Sequence, residues 1–274
     1  MNVRIKIKQL YPICLFCLFL LSVKVTKCQN VMGAKSIAMG QTATAITDSE
    51  WSLFSNVAFL TTEQHHVSFY GFRYVGLAEI TDIASTANFQ SRMGTIGIGI
   101  HRYGFHLFNE TRFILGYKNS IEQFNYGLST SYHHISQGGS YGSAGAIGLH
   151  LGLGAEITEG LWIGARASNV NQPSYGSSKE SLPRELALGF SYKIYPNVLF
   201  TTDLVKDVIF PISFRSGIEF ILFGSFFARA GFMTNPETTS MGFGYATKGF
   251  EINFGLQQHN PLGLSPALDI GVHF

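Results

Sequence analysis

Residues 146–157 read AIGLHLGLGAEI, and the way this stretch alternates decides the fold. Ile147, Leu149, Leu151, Leu153, Ala155 and Ile157 share one parity; Gly148, His150, Gly152, Gly154 and Glu156 share the other. A period of two puts each set on its own face of a β-strand. One face is an unbroken aliphatic surface. The other is mostly glycine, which weakens a strand and is a poor choice for a face meeting water. A soluble sandwich buries its aliphatic face and turns polar side chains outward. A membrane barrel does the reverse, showing the aliphatic face to lipid and enclosing the small and polar one. The glycine-rich face favours the barrel.

The pattern repeats along the chain. In LWIGARAS, Leu161, Ile163, Ala165 and Ala167 oppose Trp162, Gly164, Arg166 and Ser168. ELALGFSYKI (185–194) and FEINFGLQ (250–257) alternate in the same way. Fourteen such segments are expected, at about 64–75, 78–90, 93–103, 110–119, 123–136, 143–157, 160–169, 184–195, 197–206, 211–222, 225–234, 238–247, 249–258 and 265–274. Fourteen is an even number, as bacterial membrane barrels require. The second segment, containing AEITDIASTANF, alternates least well. QGGS, YPN, TNPET and HNPLG mark turns. The longest turn, NQPSYGSSKESLP (171–183), is polar and reads as extracellular.

Composition agrees. Charged residues are 13% of the chain, against about 25% in soluble domains. Aromatics reach 14% and glycines number 30. Beyond residue 30 no apolar run approaches the roughly 20 residues of a membrane-spanning helix.

Residues 1–28 read as a cleaved signal peptide: Arg4, Lys6 and Lys8 lead an apolar stretch from Leu10 to Val23, and Thr26 and Cys28 fit a cleavage site. The apolar run is short for an uncleaved anchor, and Lys27 occupies the place of the small residue that acylation at Cys28 would need. Cleavage removes Cys14, Cys17 and Cys28, so the mature chain holds no disulfide, thiolate nucleophile or Cys-bound metal. It also leaves 14 bases against 17 acids, a net charge of −3, which argues against nucleic-acid binding. Residues 29–62 are rich in small side chains with no sustained period and read as an N-terminal plug or hatch, in which 36–45 forms a short helix or coil; 63–274 is the barrel. The fold class is therefore all-β, a transmembrane antiparallel barrel of about 14 strands with a short plug, placed in the cell outer membrane. Outer-membrane lipid and the barrel-assembly machinery are its expected partners.

Two passages carry a family resemblance. The chain closes on SPALDIGVHF, where Leu268, Ile270, Val272 and the terminal Phe274 alternate; this resembles the assembly signal of outer-membrane barrels. GAKSIAMGQTATAITDSEWSLFSNVAFL (33–60) resembles the N-terminal motif of PorV/PorQ-type proteins and of the long-chain fatty-acid transporter (FadL) superfamily, with Met39, Gly40, Asp48 and Asn56 in the matching places and Val57 where the motif has Pro. FRSGIEF, FFARAGF and the C-terminal stretch also look PorV-like. The resemblance implies a fourteen-stranded barrel with a lumenal plug. It also implies one of two roles. The first, preferred because fourteen strands leave few residues for loops, is a non-enzymatic partner or scaffold in type IX-like secretion, contacting secretion components or exported cargo. The second is a transporter of small hydrophobic molecules.

No catalytic, cofactor or metal site is expected. His65–His66 and His133–His134 are strand neighbours pointing to opposite faces, so neither pair chelates one ion. No Gly-x-Ser-x-Gly occurs, and no glycine run is followed by Lys-Ser/Thr as in a phosphate loop. Charges on the small-residue face include Arg166, Lys193, Asp203, Arg215, Glu219, Arg229, Lys248, Glu251 and Asp269. On the lipid face an Arg or Lys costs about 2–4 kcal/mol at the midplane, so these are placed in the lumen. There they either pair with one another, the favoured reading, or contact the plug or a passing ligand. Trp51, Trp162 and Tyr192 are assigned to packing or an interfacial girdle.

Overall fold

The structure is a computed structural model that describes residues 31–274 apart from 62–63, 78, 139–141, 177–179 and 261–262. The signal-peptide reading of residues 1–28 lies outside the described residues, as do 29, 30 and 62 of the plug segment. Strands run β1 (His66–Phe72), β2 (Thr81–Ser91), β3 (Gly94–Phe105), β4 (Phe108–Ile121), β5 (Phe124–Gln137), β6 (Gly142–Thr158), β7 (Leu161–Ser168), β8 (Ser174–Tyr175), β9 (Glu180–Ser181), β10 (Glu185–Tyr195), β11 (Val198–Asp207), β12 (Ser213–Leu222), β13 (Phe226–Thr234), β14 (Glu237–Ala246), β15 (Phe250–His259) and β16 (Gly263–His273).

Fourteen of these, all but β8 and β9, close into one antiparallel barrel. The seam joins β1 to β16 from the pair His66 and His273 to the pair Phe72 and Ala267. Every other neighbour in the barrel follows in chain order, joined by a local turn. At the end bearing His66 and His273, here called proximal, the turns are two or three residues long; the distal end carries the longer connections, including 73–80 and 169–184.

The aliphatic face points outward. Leu151 is 48% and Leu153 60% exposed, and Leu268, Ile270, Val272 and Phe274 are exposed on the same surface. A closed barrel has no sheet edge and satisfies its backbone internally, the condition for crossing hydrocarbon. The fold is thus a transmembrane barrel with the orientation that the alternation implied. The weakly alternating second segment is a strand, beginning at Thr81. Its inward Asp82, Ala84, Thr86 and Asn88 are buried, while small Ser85 and Ala87 dilute the apolar signal outside.

Three placements differ from the sequence reading. Lys193 is exposed at the proximal end of β10, and Lys248 is exposed in the turn after β14. Alternation continues past the enclosed part of a strand, so parity alone does not mark where the lumen stops. The long polar turn is also structured: β8 pairs with β9, and Tyr175 and Leu182 pack with Ala146, Ile135 and Ala144.

Candidate functional site

Residues 31–61 occupy the lumen. They form helix α1 (Ala34–Ala38) and two 3-10 turns, Glu50–Phe54 and Val57–Phe59. The helix spans only part of the stretch read as helix or coil, because Gly40 follows it with φ 68°. A side chain at Gly40 would meet the backbone of Phe232 and Ser216 at 2.5–2.7 Å. Only glycine permits that approach. Ser49 and Asn56 cap the 3-10 turns through their side chains. Val57 stands in the motif's proline position without loss of the turn, since the Asn56 side-chain carbonyl accepts from Ala58 N at 3.2 Å.

The barrel wall is cut to fit this segment. A Cβ on Gly116 would lie 2.5 Å from Leu53 Cδ1, one on Gly127 would lie 2.8 Å from the carbonyl carbon of Val57, and one on Gly255 would lie 2.8 Å from Ala34 O. Gly154 and Gly164 abut Phe59 and Thr44, and Gly217 and Gly231 abut Met39. Cross-strand partners repeat the residue type: Gly127 faces Gly152, Gly164 faces both Gly154 and Gly189, Gly217 faces Gly231, and Gly242 faces Gly255. These glycines make a belt around the barrel at the level of the plug. The close approach of the plug is a cause of the enclosed glycines that alternation alone does not reveal.

Polar contacts fasten the plug. Asp203 accepts from Ala43 N (2.9 Å), Thr44 N (3.0 Å) and Thr44 Oγ1 (2.8 Å). Asn56 Nδ2 donates to Thr44 O (2.7 Å) and Leu153 O (3.0 Å). Arg215 Nη1 donates to Gln41 O (3.1 Å). A second network grips α1. Lys35 Nζ lies 3.2 Å from Glu219 Oε1, Arg229 Nε donates to Glu219 Oε2 (2.5 Å), and Arg229 Nη1 donates to Asn253 Oδ1 (2.5 Å). Asn253 Nδ2 reaches Glu251 (2.7 Å) and Asp269 (2.8 Å), and Asp269 accepts from Ala34 N (2.5 Å). Arg166 pairs with Glu185, whereas Arg215, Glu219 and Asp203 contact the plug. Met39, Gly40 and Asn56 are buried against the wall, while Asp48 is exposed at the proximal mouth in a left-handed conformation (φ 50°). Trp51 packs against Tyr70 and Phe54, and Trp162 against Phe59, so both tryptophans serve packing; Tyr192 is exposed on the outside. Glu50 is buried in the plug, and that burial, followed by the nearby carboxylates of Glu251 and Asp269, pushes its carboxyl well above the usual range.

Distal to the plug the wall fills its own interior. His101 Nε2 lies 2.9 Å from Asp82 Oδ1, and Arg166 pairs with Glu185. Ser131 Oγ lies 3.0 Å from His133 Nε2 and 2.7 Å from His150 Nε2, while His133 Nδ1 lies 2.7 Å from Glu110 Oε1, which also accepts from Tyr175 Oη at 3.3 Å. The Ser131–His133–Glu110 order is that of a nucleophile, base and orienting acid. Ser131 is only 1% exposed, however, and its strand is paired on both sides, so the local backbone N–H groups serve the ladder rather than an oxyanion. The set works as a brace. Sequence reasoning missed it because its members meet only across strands.

Two clefts lie outside this packing. One, about 370 Å³, opens at the proximal mouth between Asp48, Phe59 and Trp162 and the wall residues Lys118, Arg92 and Asn125. The other, about 360 Å³, lies along the wall beside β1, lined by Phe72, Ile83, Phe254, Pro266, Ala267 and Leu268.

A fourteen-stranded barrel with apolar outer skin and a seated internal segment defines a plugged transmembrane β-barrel. Solved structures superpose on it. The toluene transporter TbuX of Ralstonia pickettii matches with TM-score 0.71 at 16% identity, covering 89% of this chain and 99% of that one. The monoaromatic hydrocarbon channel CymD matches with TM-score 0.70 at 13% identity, covering 89% and 98%. The outer membrane protein Omp33 of Acinetobacter baumannii matches more loosely, with TM-score 0.52 at 11% identity over 77% and 98%. The shared property is the fold, which is one that bacterial outer-membrane proteins adopt. No family model matches the sequence, and no curated protein matches it significantly.

Proposed function

We propose that the chain is a gated outer-membrane channel for small hydrophobic molecules, with residues 31–61 as the gate. The observation that carries this reading is the likeness of fold to a toluene transporter and a hydrocarbon channel over 89% of the chain, joined to a plug seated in what would otherwise be the pore. It favours the transporter alternative over the secretion-scaffold role preferred from sequence, for which the neighbours offer no support. The short proximal turns suit the periplasmic side, as short turns do in outer-membrane barrels. Export by the N-terminal signal and assembly through Leu268, Ile270, Val272 and Phe274 belong to the same reading. Met39, Gly40 and Asn56 seat the gate, and Arg215, Glu219, Arg229 and Glu251, with Asp203, form its counter-surface. The apolar cleft beside β1 gives a solute dissolved in lipid a place to meet the wall.

The test is uptake of labelled toluene and of a labelled long-chain fatty acid by cells with and without the chain. Faster uptake of either supports transport. Equal uptake of both, together with recovery of secretion components on the purified barrel, would return the scaffold role to first place.

A further inference from the structure

Among the described residues, most of the lumenal cations that grip the plug or brace the wall sit on a hydrogen-bonded partner, and Lys118 at the proximal mouth does not. Arg229 pairs with Glu219, Lys35 with the same carboxylate, Arg166 with Glu185, and Arg215 donates to the plug backbone. Lys118, on the enclosed face of β4, is 6% exposed and makes no hydrogen bond or ion pair within 4.0 Å among the described residues. A buried ammonium with no acceptor in hydrogen-bonding reach, and only the exposed Asp48 as a more distant counter-charge, is expensive, and it draws a closer anion wherever there is room for one. Here there is room, because Lys118 lines the 370 Å³ cleft. That volume falls within the range of about 300–1,000 Å³ typical of small-molecule sites.

The rest of the lining specifies the occupant. Phe59 and Trp162, edge to face at 5.8 Å, form an aromatic wall. Asn119, Ser120 and Asn125 add neutral hydrogen-bonding groups, and Arg92 adds a second cation. Asp48 on the plug and Glu122 on the next turn are the acids of the cleft, so its own charges balance and a single anion must compete with Asp48 for Lys118.

We propose that this cleft is a binding site for a small organic carboxylate with an apolar, preferably aromatic, body. The carboxylate lies against Lys118 and the ring against Phe59 and Trp162. Neutral hydrocarbons lack the group that Lys118 requires, so the site separates acids from their uncharged analogues. It stands on the cleft alone, and failure of the uptake assay would leave it intact.

Benzoate and benzyl alcohol share a ring and differ in charge, which makes them the probes. Isothermal titration of the detergent-solubilised full chain should show benzoate binding at least about tenfold tighter, since a hydrogen-bonded charge pair is worth that much or more. Lys118→Gln should bring benzoate down to the level of the alcohol and leave the alcohol unchanged. Lys118→Arg should retain the preference, and Asp48→Asn should tighten benzoate by removing its competitor. Heat-modifiable gel mobility confirms that each variant is folded; if Lys118→Gln does not fold, the Asp48→Asn variant and the ligand pair still decide. Equal binding of the two probes, no benzoate binding, or benzoate binding indifferent to Lys118→Gln or Asp48→Asn overturns the proposal.

Discussion

The lumen has two levels that solve one packing problem differently. At plug level the wall is rich in glycine, with a few polar side chains that grip the incoming segment, and that segment supplies most of the filling. Beyond the plug the wall supplies its own. Single strands show the change. Along β5, Gly127 abuts Val57, and then Ser131 and His133 fill the space themselves. Along β7, Gly164 abuts Thr44 and is followed by Arg166. Along β3, Gly97 and Gly99 touch Leu53 and Phe54, and His101 comes next on that face. Lumenal side-chain volume thus traces the outline of the plug, and protein interiors do not tolerate both occupants at once.

The largest effect is expected where one wall residue makes three hydrogen bonds to the plug. Asp203→Ala strands three buried donors on residues 43–44. At about 1–2 kcal/mol for each lost bond, the seated state should weaken by about 3–6 kcal/mol. Planar-bilayer recordings should then show a conducting pore where the wild type is closed. A closed Asp203→Ala pore would mean that the belt alone seats the plug.

Next in size is a direct challenge to the belt. Gly127→Val puts side-chain carbons where the plug backbone runs, 2.8 Å from Val57 C and 2.9 Å from Ala58 N. Overpacking of this kind costs about 1–3 kcal/mol. The variant should open part of the time, whereas Leu128→Val, its neighbour on the outward face, should not change conductance. The distal level should behave in the opposite way. Replacing the Arg166–Glu185 pair together by Met and Leu removes a buried ion pair for hydrophobic volume, a change that is often neutral or stabilising. Its expected effect on gating is near zero, and its melting temperature should hold. Opening of the pore by this double variant would show that the two levels are coupled.

Strand positions and faces were legible in the sequence because a period of two is a local property that needs no partner. Leu186, Leu188 and Phe190 point outward as their parity required. The plug was legible as a break in that period. The grip on it was not. Asp203 read as one lumenal charge among several, since the atoms it holds are 159 and 160 residues away. Lys118 carried no signal either, because the cleft it lines is made by what β4 faces across the mouth. Lys193 and Lys248 show the complementary limit, in which parity persists beyond the enclosed zone.

A modest effect on gating, smaller than those of Asp203→Ala and Gly127→Val, is a pH dependence confined to the plug level. Glu50 is buried, its carboxyl raised by burial and by Glu251 and Asp269. The seated plug therefore holds its proton more tightly than the released plug does. Between the ordinary value of 4.5 and the raised one, the seated state binds more protons, so its stability falls as pH rises through that window and levels off above it. Below 4.5 both states are protonated and the penalty vanishes. Open probability should accordingly rise with pH in the wild type and stay flat in Glu50→Gln, which keeps the shape and removes the titration. The neighbouring hydrogen bond from Asn88 to the Glu50 backbone carbonyl (3.1 Å) is untouched by that change, so a flat profile would isolate the side chain as the cause. An unaltered slope in Glu50→Gln would move the pH sensitivity off Glu50 to another titratable group and remove this account of it.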